Sequence, residues 1–160
     1  MQFIFEARDE AATEALGRAL AEILPDGTTV ALDGPLGAGK TRLVQAIAAA
    51  VGVEPGAAVS PTFVLVQEYH GARTIVHIDA YRLRDEEEFA ALGSDELFAA
   101  PALVLIEWAA RVMGAIPRDH VQVQIAERGE SSRRFTITAC GEGYESVIER
   151  LMAWQAALRA

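Results

Sequence analysis

The fold this sequence predicts is a single three-layer α/β domain, residues 1–160, with a mixed, mainly parallel sheet and antiparallel edge strands. Three observations lead there. Short β-branched or apolar runs alternate with segments of helical periodicity along the whole chain, which is the pattern of a sheet covered by helices. The run ALVLIEW at 102–108 is apolar without alternation, as expected of a strand buried on both faces and central in the sheet. HVQVQIAE and RRFTITA alternate with period two around RGESS, which marks an antiparallel pair.

Taken in order, QFIFEA at 2–7 reads as a strand. DEAATEALGRALAEIL follows with helical spacing, Asp9 standing where it can cap the first turn and PDG at 25–27 stopping the helix. TTVALDG is a β-branched strand that runs into a glycine-rich stretch, and KTRLVQAIAAAVG is a helix with Leu43, Ile47 and Val51 at fourfold spacing. Beyond a loop containing SPT at 60–62, FVLVQEY and RTIVHID form a hairpin turning at His70-Gly71. RDEEEFAALGSDELFA is an acidic helical region broken near Gly93, and YESVIERLMAWQAAL is a closing helix. No internal repeat or low-complexity tract interrupts the series.

With 51% hydrophobic and 23% charged residues, the composition is that of an ordinary soluble globular domain. A formal net charge of -9 argues against direct binding to a nucleic-acid backbone, which calls for a basic face. The lone Cys140 cannot form an internal disulfide and the N-terminus lacks a signal-peptide pattern, so a cytoplasmic location is expected. The longest apolar runs fall far short of the ~20 residues that span a bilayer, so no membrane anchor is expected.

GPLGAGKT at 34–41 contains the only lysine, Lys40, beside thirteen arginines. Lysine and arginine are exchangeable on solvated faces, but not where a compact ammonium must reach one point charge. Gly34, Gly39, Lys40 and Thr41 meet G-x-x-x-x-G-K-[ST], in which backbone N–H groups cradle phosphates and the lysine reaches the β and γ oxygens. Gly37 adds conformational freedom, Thr41 is placed to ligate magnesium, and the helix that follows directs its positive end at the anion. The strand before and helix after are the context the motif requires. Pro35 removes one amide from the loop and is expected where that N–H does not serve phosphate.

A magnesium–nucleotide site also needs a carboxylate near the loop. Asp79 ends TIVHID and Glu107 ends LVLIE, and strand ends are where ligands collect in such sheets. Either could hold the metal while the other positions water, and spacing does not assign them. Asp79 also reads as a turn or cap residue before AYRL, whereas a carboxylate directly after four apolar residues, as at Glu107, is costly without a partner. Thr62 in SPTF is either a switch-loop hydroxyl that senses the γ-phosphate or a plain turn residue. His70, His77 and His120 lack metal-ligand spacing and are expected in surface or packing roles. DEEE at 85–88 reads first as a solvated helix start and second as a partner-binding surface; Trp108 and Tyr81 fit core or interface equally.

The ordered set GPLGAGKT, SPTF, HIDAYRL, EEFAALGSDELF and LVLIEW resembles the bacterial tRNA threonylcarbamoyladenosine biosynthesis ATPase family, TsaE, over nearly the whole chain. The resemblance implies a small P-loop ATPase using ATP and Mg2+. It would work with TsaB and TsaD in placing threonylcarbamoyl on adenosine 37 of tRNAs that read codons starting with A. It would make no carbamoyl transfer itself and meet tRNA only indirectly. By the same resemblance Gly37, Ala38, Gly39, Lys40 and Thr41 bind the phosphates, Thr41 and Glu107 contact magnesium, and Asp79 is the catalytic or water-positioning acid. Glu10 and Thr13 lie beside the nucleotide, Arg134 approaches it, and Pro35 replaces the acid usual at that loop position. Two rivals share these features: a small-molecule or nucleoside kinase, and an ATP-binding subunit that stabilises its partners without hydrolysis. Little chain remains beyond Glu107 for a kinase lid.

Overall fold

The computed structural model describes residues 1–54, 56–57 and 66–160. Among the described residues seven strands form one sheet: β1 (Gln2–Ala7), β2 (Thr29–Asp33), β3 (Val66–His70), β4 (Thr74–Asp79), β5 (Leu103–Glu107), β6 (His120–Glu127) and β7 (Arg133–Cys140). Their spatial order is β1-β7-β6-β2-β5-β4-β3. The central four, β6, β2, β5 and β4, run parallel; β3 closes one edge antiparallel, and β7 with β1 closes the other. The expected mixed sheet is therefore present, with antiparallel strands at both edges.

Burial follows from position. All five residues of β2 and all five of β5 are buried, because helices cover both faces of the sheet centre. Alternate side chains serve the two faces. Val30, Leu32, Leu103, Leu105, Val121 and Val123 pack with α1 (Glu10–Ile23), α2 (Lys40–Ala50) and α5 (Glu145–Leu158). Ala31, Val76, Ile78, Val104 and Ile106 pack with Phe89 and Val112, which belong to α3 (Glu86–Ala90) and a 3-10 helix at Ala109–Ala115. Each fully buried Leu, Ile or Val contributes about 1.5–3 kcal/mol. The short α4 (Ser94–Ala99) follows α3 across Gly93, whose φ of 81° ends one helix and starts the next.

Local chemistry sets the helix starts. Asp9 accepts a hydrogen bond from the Ala12 N–H at 2.9 Å, and Asp85 accepts one from Glu88 N–H at 2.9 Å. The 3-10 helix after β5 departs from the sequence reading: it is preceded by Trp108, a left-handed residue whose conformation the local sequence does not announce. The predicted strand FVLVQEY is described from Val66 onward, and Phe63, Val64 and Leu65 lie outside the described residues. Among the described residues no helix is long and apolar enough to cross a membrane.

Helix α1 lies close on α2 because Gly17 faces Ala46, and a Cβ at Gly17 would collide with the Ala46 Cβ. Gly17→Val is expected to cost about 1–3 kcal/mol, read as a lower urea midpoint at unchanged slope. An added Ala46→Gly should return part of that loss, and strict additivity of the two changes would contradict the contact.

Candidate functional site

The parallel register brings three acidic strand ends to one edge of the sheet. Leu32 of β2 pairs with Glu107 of β5, and Asp79 of β4 pairs with the same Glu107, so Asp33, Glu107 and Asp79 stand side by side where ligands collect. The glycine loop leaves β2 over this edge. A Cβ at Gly34 would come 2.6 Å from the Ile125 carbonyl oxygen of β6, so only glycine fits there. Gly39, with φ 110°, turns the loop into α2 in the left-handed region. Among the described residues no side chain caps that N-terminus, which suits its first N–H groups to an anion.

Lys40 is 4% exposed. Its Nζ donates to the carbonyls of Gly34 at 2.7 Å and Pro35 at 3.0 Å and lies 3.9 Å from the centroid of the Trp108 ring. Burial holds its pKa below the usual lysine value, and Glu107, Asp33 and Asp79 oppose that shift. Pro35 takes part through its carbonyl, which also accepts from Ala38 N–H at 3.0 Å.

The Thr41 hydroxyl meets both oxygens of Glu107, at 2.8 Å to Oε1 and 3.0 Å to Oε2. Glu107 is 3% exposed, and His77 Nε2 lies 2.5 Å from its Oε2. His77 Nδ1 in turn lies 2.9 Å from the Tyr69 hydroxyl, which donates to Gln67 Oε1 at 2.6 Å. Asp79 is half-buried; its Oδ1 accepts from Tyr81 N–H at 2.9 Å, so it is a turn residue as well as a strand-end acid. Burial chiefly pushes the Asp79 carboxyl up, the Tyr81 hydrogen bond opposes, and the charge of Glu107 adds to the rise.

Trp108 follows Glu107 with φ 59°, the only positive value at a non-glycine among the described residues, a conformation that costs about 1–3 kcal/mol. It sets the indole against Lys40 and 4.9 Å from the Tyr81 ring, which Arg111 covers at 5.2 Å. Asp33 anchors the same turn: its Oδ1 accepts from Ala110 N–H at 3.0 Å, while its buried Oδ2 has no hydrogen-bond partner among the described residues.

A separate cavity of about 190 Å³ opens beside the loop, bordered by Glu10, Thr13, Gly37, Gly39, Arg133 and Phe135. Glu10 also pairs with Arg42 at 3.1 Å. The arginine at this cavity is Arg133, not the expected Arg134. Successive residues of β7 point to opposite faces, and Arg134 pairs instead with Glu6 of β1. Arg133 Nε donates to the Ala38 carbonyl at 2.8 Å, tying the β6–β7 turn to the loop. Thr62 lies outside the described residues.

The sequence reading gives no role to Asp33 or Arg133, reads His77 as a surface or packing residue and leaves Trp108 as core or interface. Asp33 ends an apolar strand just as Asp79 and Glu107 do, so the same signal was available. His77 was assigned a surface or packing role, which His70 and His120 have: His70 is exposed beside Glu68 at 3.6 Å, and His120 Nδ1 lies 2.8 Å from the Pro117 carbonyl. His77 meets Glu107 only because β4 and β5 are neighbours, a tertiary fact.

The oxygens of Thr41 and Glu107 suit a hard cation such as Mg2+, which protein typically holds through one or two side chains together with substrate phosphates. Among the described residues no group of three or more His, Cys, Asp and Glu is arranged to hold a metal by itself.

Comparison with known proteins gives a consistent result. Residues 7–135 match the family model "Threonylcarbamoyl adenosine biosynthesis protein TsaE". The chain is 36% identical over 140 residues to the tRNA threonylcarbamoyladenosine biosynthesis protein TsaE of Bacillus subtilis, covering 87% of each. It is 34% identical over 125 residues to that of Treponema pallidum, covering 78% of this chain and 92% of the relative. The crystal structure of Bacillus subtilis YdiB superposes with a TM-score of 0.83 at 29% identity, covering 97% of both chains.

Burial raises the Asp33 pKa above its ordinary 3.8, against the Ala110 hydrogen bond and the Lys40 charge. The ionised form therefore costs folding free energy at pH values above the raised pKa, and the cost disappears as the group protonates on acidification. Asp33→Asn is expected to melt higher than the parent at pH 8, with the difference shrinking as pH falls through the carboxylate range. A difference independent of pH, or a loss of stability at pH 8, would contradict the burial of a charge there.

Proposed function

The chain belongs to the TsaE family, and from that premise we propose that it binds and hydrolyses ATP as a subunit of the machinery that forms threonylcarbamoyladenosine at position 37 of tRNAs reading codons that start with A. The observation that carries this reading is the meeting of Lys40 and Thr41 with Glu107 and Asp79 at the ends of adjacent parallel strands. TsaB and TsaD are the proposed partners, and the acidic chain meets tRNA through them. The proposed location is the cytoplasm.

The loop amides and the α2 N-terminus bind phosphate oxygens, and Lys40 exchanges the Gly34 and Pro35 carbonyls for them. The cavity bordered by Glu10, Thr13 and Arg133 takes the nucleoside end. Thr41 and Glu107 hold Mg2+, which supplies charge neutralisation when bound. Three carboxylates around one ammonium leave an excess of negative charge at this edge, a further reason for a divalent cation. Asp79, with its carboxyl raised by burial, orients the attacking water and takes its proton.

Hydrolysis is favoured over a kinase reaction because the chain at 108–160 is committed to the fold. That chain forms the 3-10 helix, β6, β7 and α5, and α5 packs on α1, β1 and β7. The strand-end acid Asp79 favours hydrolysis over a purely stabilising subunit.

ATP turnover measured alone and with TsaB and TsaD tests this reading, and strong stimulation by the partners is expected. Lys40→Ala should lower kcat/KM by about 10²–10³-fold and abolish tRNA modification. ADP release stimulated by a small-molecule phosphate acceptor would instead support a kinase. An Asp79→Asn variant that binds ATP, fails to cleave it and still sustains modification would support the nonhydrolytic subunit.

A further inference from the structure

His77 is fully buried in β4, between Val76 and Ile78, which belong to the apolar core. A branched apolar side chain would fill such a position at less cost, because a buried imidazole is tolerated only when its nitrogens are hydrogen-bonded. Here both are engaged, Nε2 by Glu107 Oε2 at 2.5 Å and Nδ1 by the Tyr69 hydroxyl at 2.9 Å. Rotation of the ring would break both contacts, so its orientation is held from two sides whatever the arrangement of protons along the row.

The consequence falls on Glu107. Its carboxylate has two oxygens, and the single Thr41 hydroxyl proton lies within reach of either, at 2.8 and 3.0 Å. Thr41 alone would leave the carboxylate free to turn. His77 removes that freedom by engaging Oε2, so that Oε1, the nearer oxygen to Thr41, is the one left with open acceptor sites. Tyr69 stands on the edge strand β3, so the row carries the constraint across three strands, from β3 through β4 to the end of β5.

We propose that His77, braced by Tyr69, is a positioning residue that locks Glu107 with Oε1 toward Thr41 and so completes the divalent-cation site. This rests on the reading of Glu107 as a magnesium ligand. A partner that orients a metal-binding side chain in this way is worth about 10–100-fold in metal affinity or activity.

The test compares His77→Leu, His77→Gln and Tyr69→Phe with the parent, alongside Glu107→Gln. ADP affinity is measured by calorimetry in EDTA and again across a Mg2+ titration, and Mn2+ uptake in the presence of ADP is followed by electron paramagnetic resonance. All His77 and Tyr69 variants should bind ADP in EDTA as the parent does. His77→Leu should raise the half-saturating Mg2+ or Mn2+ concentration about 10–100-fold. His77→Gln, which can still donate to Oε2, should recover most of that loss, and Tyr69→Phe should show a smaller shift in the same direction. The positioning role is overturned if His77→Leu leaves the cation dependence unchanged, if His77→Gln is as impaired as His77→Leu, or if affinity in EDTA falls in parallel. Should His77→Leu not fold, His77→Gln and Tyr69→Phe decide: cation dependence equal to the parent's in Tyr69→Phe overturns the brace. Unchanged cation dependence in Glu107→Gln instead overturns the reading of Glu107, which is a separate failure.

Discussion

Lys40 is a buried ammonium set among the carboxylates of Asp33, Asp79 and Glu107, and much of the surrounding structure follows from that arrangement. Parallel strands end together, so three neighbouring strands that each close on an acid must gather like charge at one edge. Each group is partly stripped of water, and the shifts at Asp33, Asp79 and Lys40 all take their largest cause from burial. The cost is tolerable because the charges are interlocked with donors: Glu107 with Thr41 and His77, Asp79 with Tyr81 N–H, Asp33 with Ala110 N–H.

This interlocking also explains why the loop binds its own groups. The Lys40 ammonium occupies the Gly34 and Pro35 carbonyls, and the Thr41 hydroxyl occupies the carboxylate proposed to share a cation with it. These are contacts that phosphate and a divalent ion would replace with stronger ones. The strained Trp108 belongs to the same economy of space. Its left-handed backbone turns the chain directly after Glu107 and lays an aromatic face on Lys40, where a flexible lysine stem would otherwise be unsupported. Strain of this kind persists where the surroundings over-determine it, and Asp33 provides part of that hold through Ala110.

Much of the scaffold was legible beforehand because burial on a sheet or helix leaves a periodic trace. β2 and β5 read as apolar runs, β6 and β7 as period-two alternation, and α1 by its spacing and its Asp9 cap. The 3-10 helix left no such trace, since it depends on one residue's unusual φ. The pairing of β1 with β7 across 125 intervening positions was likewise invisible, because register between distant strands is set by their shared core. Lys40, Thr41, Asp79 and Glu107 stand out as candidates from motif and strand-end position alone. The resemblance points to Arg134, whereas Arg133 borders the cavity, because alternation along a strand reverses the face with every residue.

The sequence by itself determined the phosphate loop, the helix it opens and the acids that end the neighbouring strands, since each is a local pattern of residue type and spacing. Only the tertiary structure decided which of those acids touch Thr41, that a buried imidazole braces one of them, and that an indole shields the lysine. Those contacts join residues brought together by lateral strand order, and the chemistry of a hydrogen bond acts on distance in space rather than on separation along the chain.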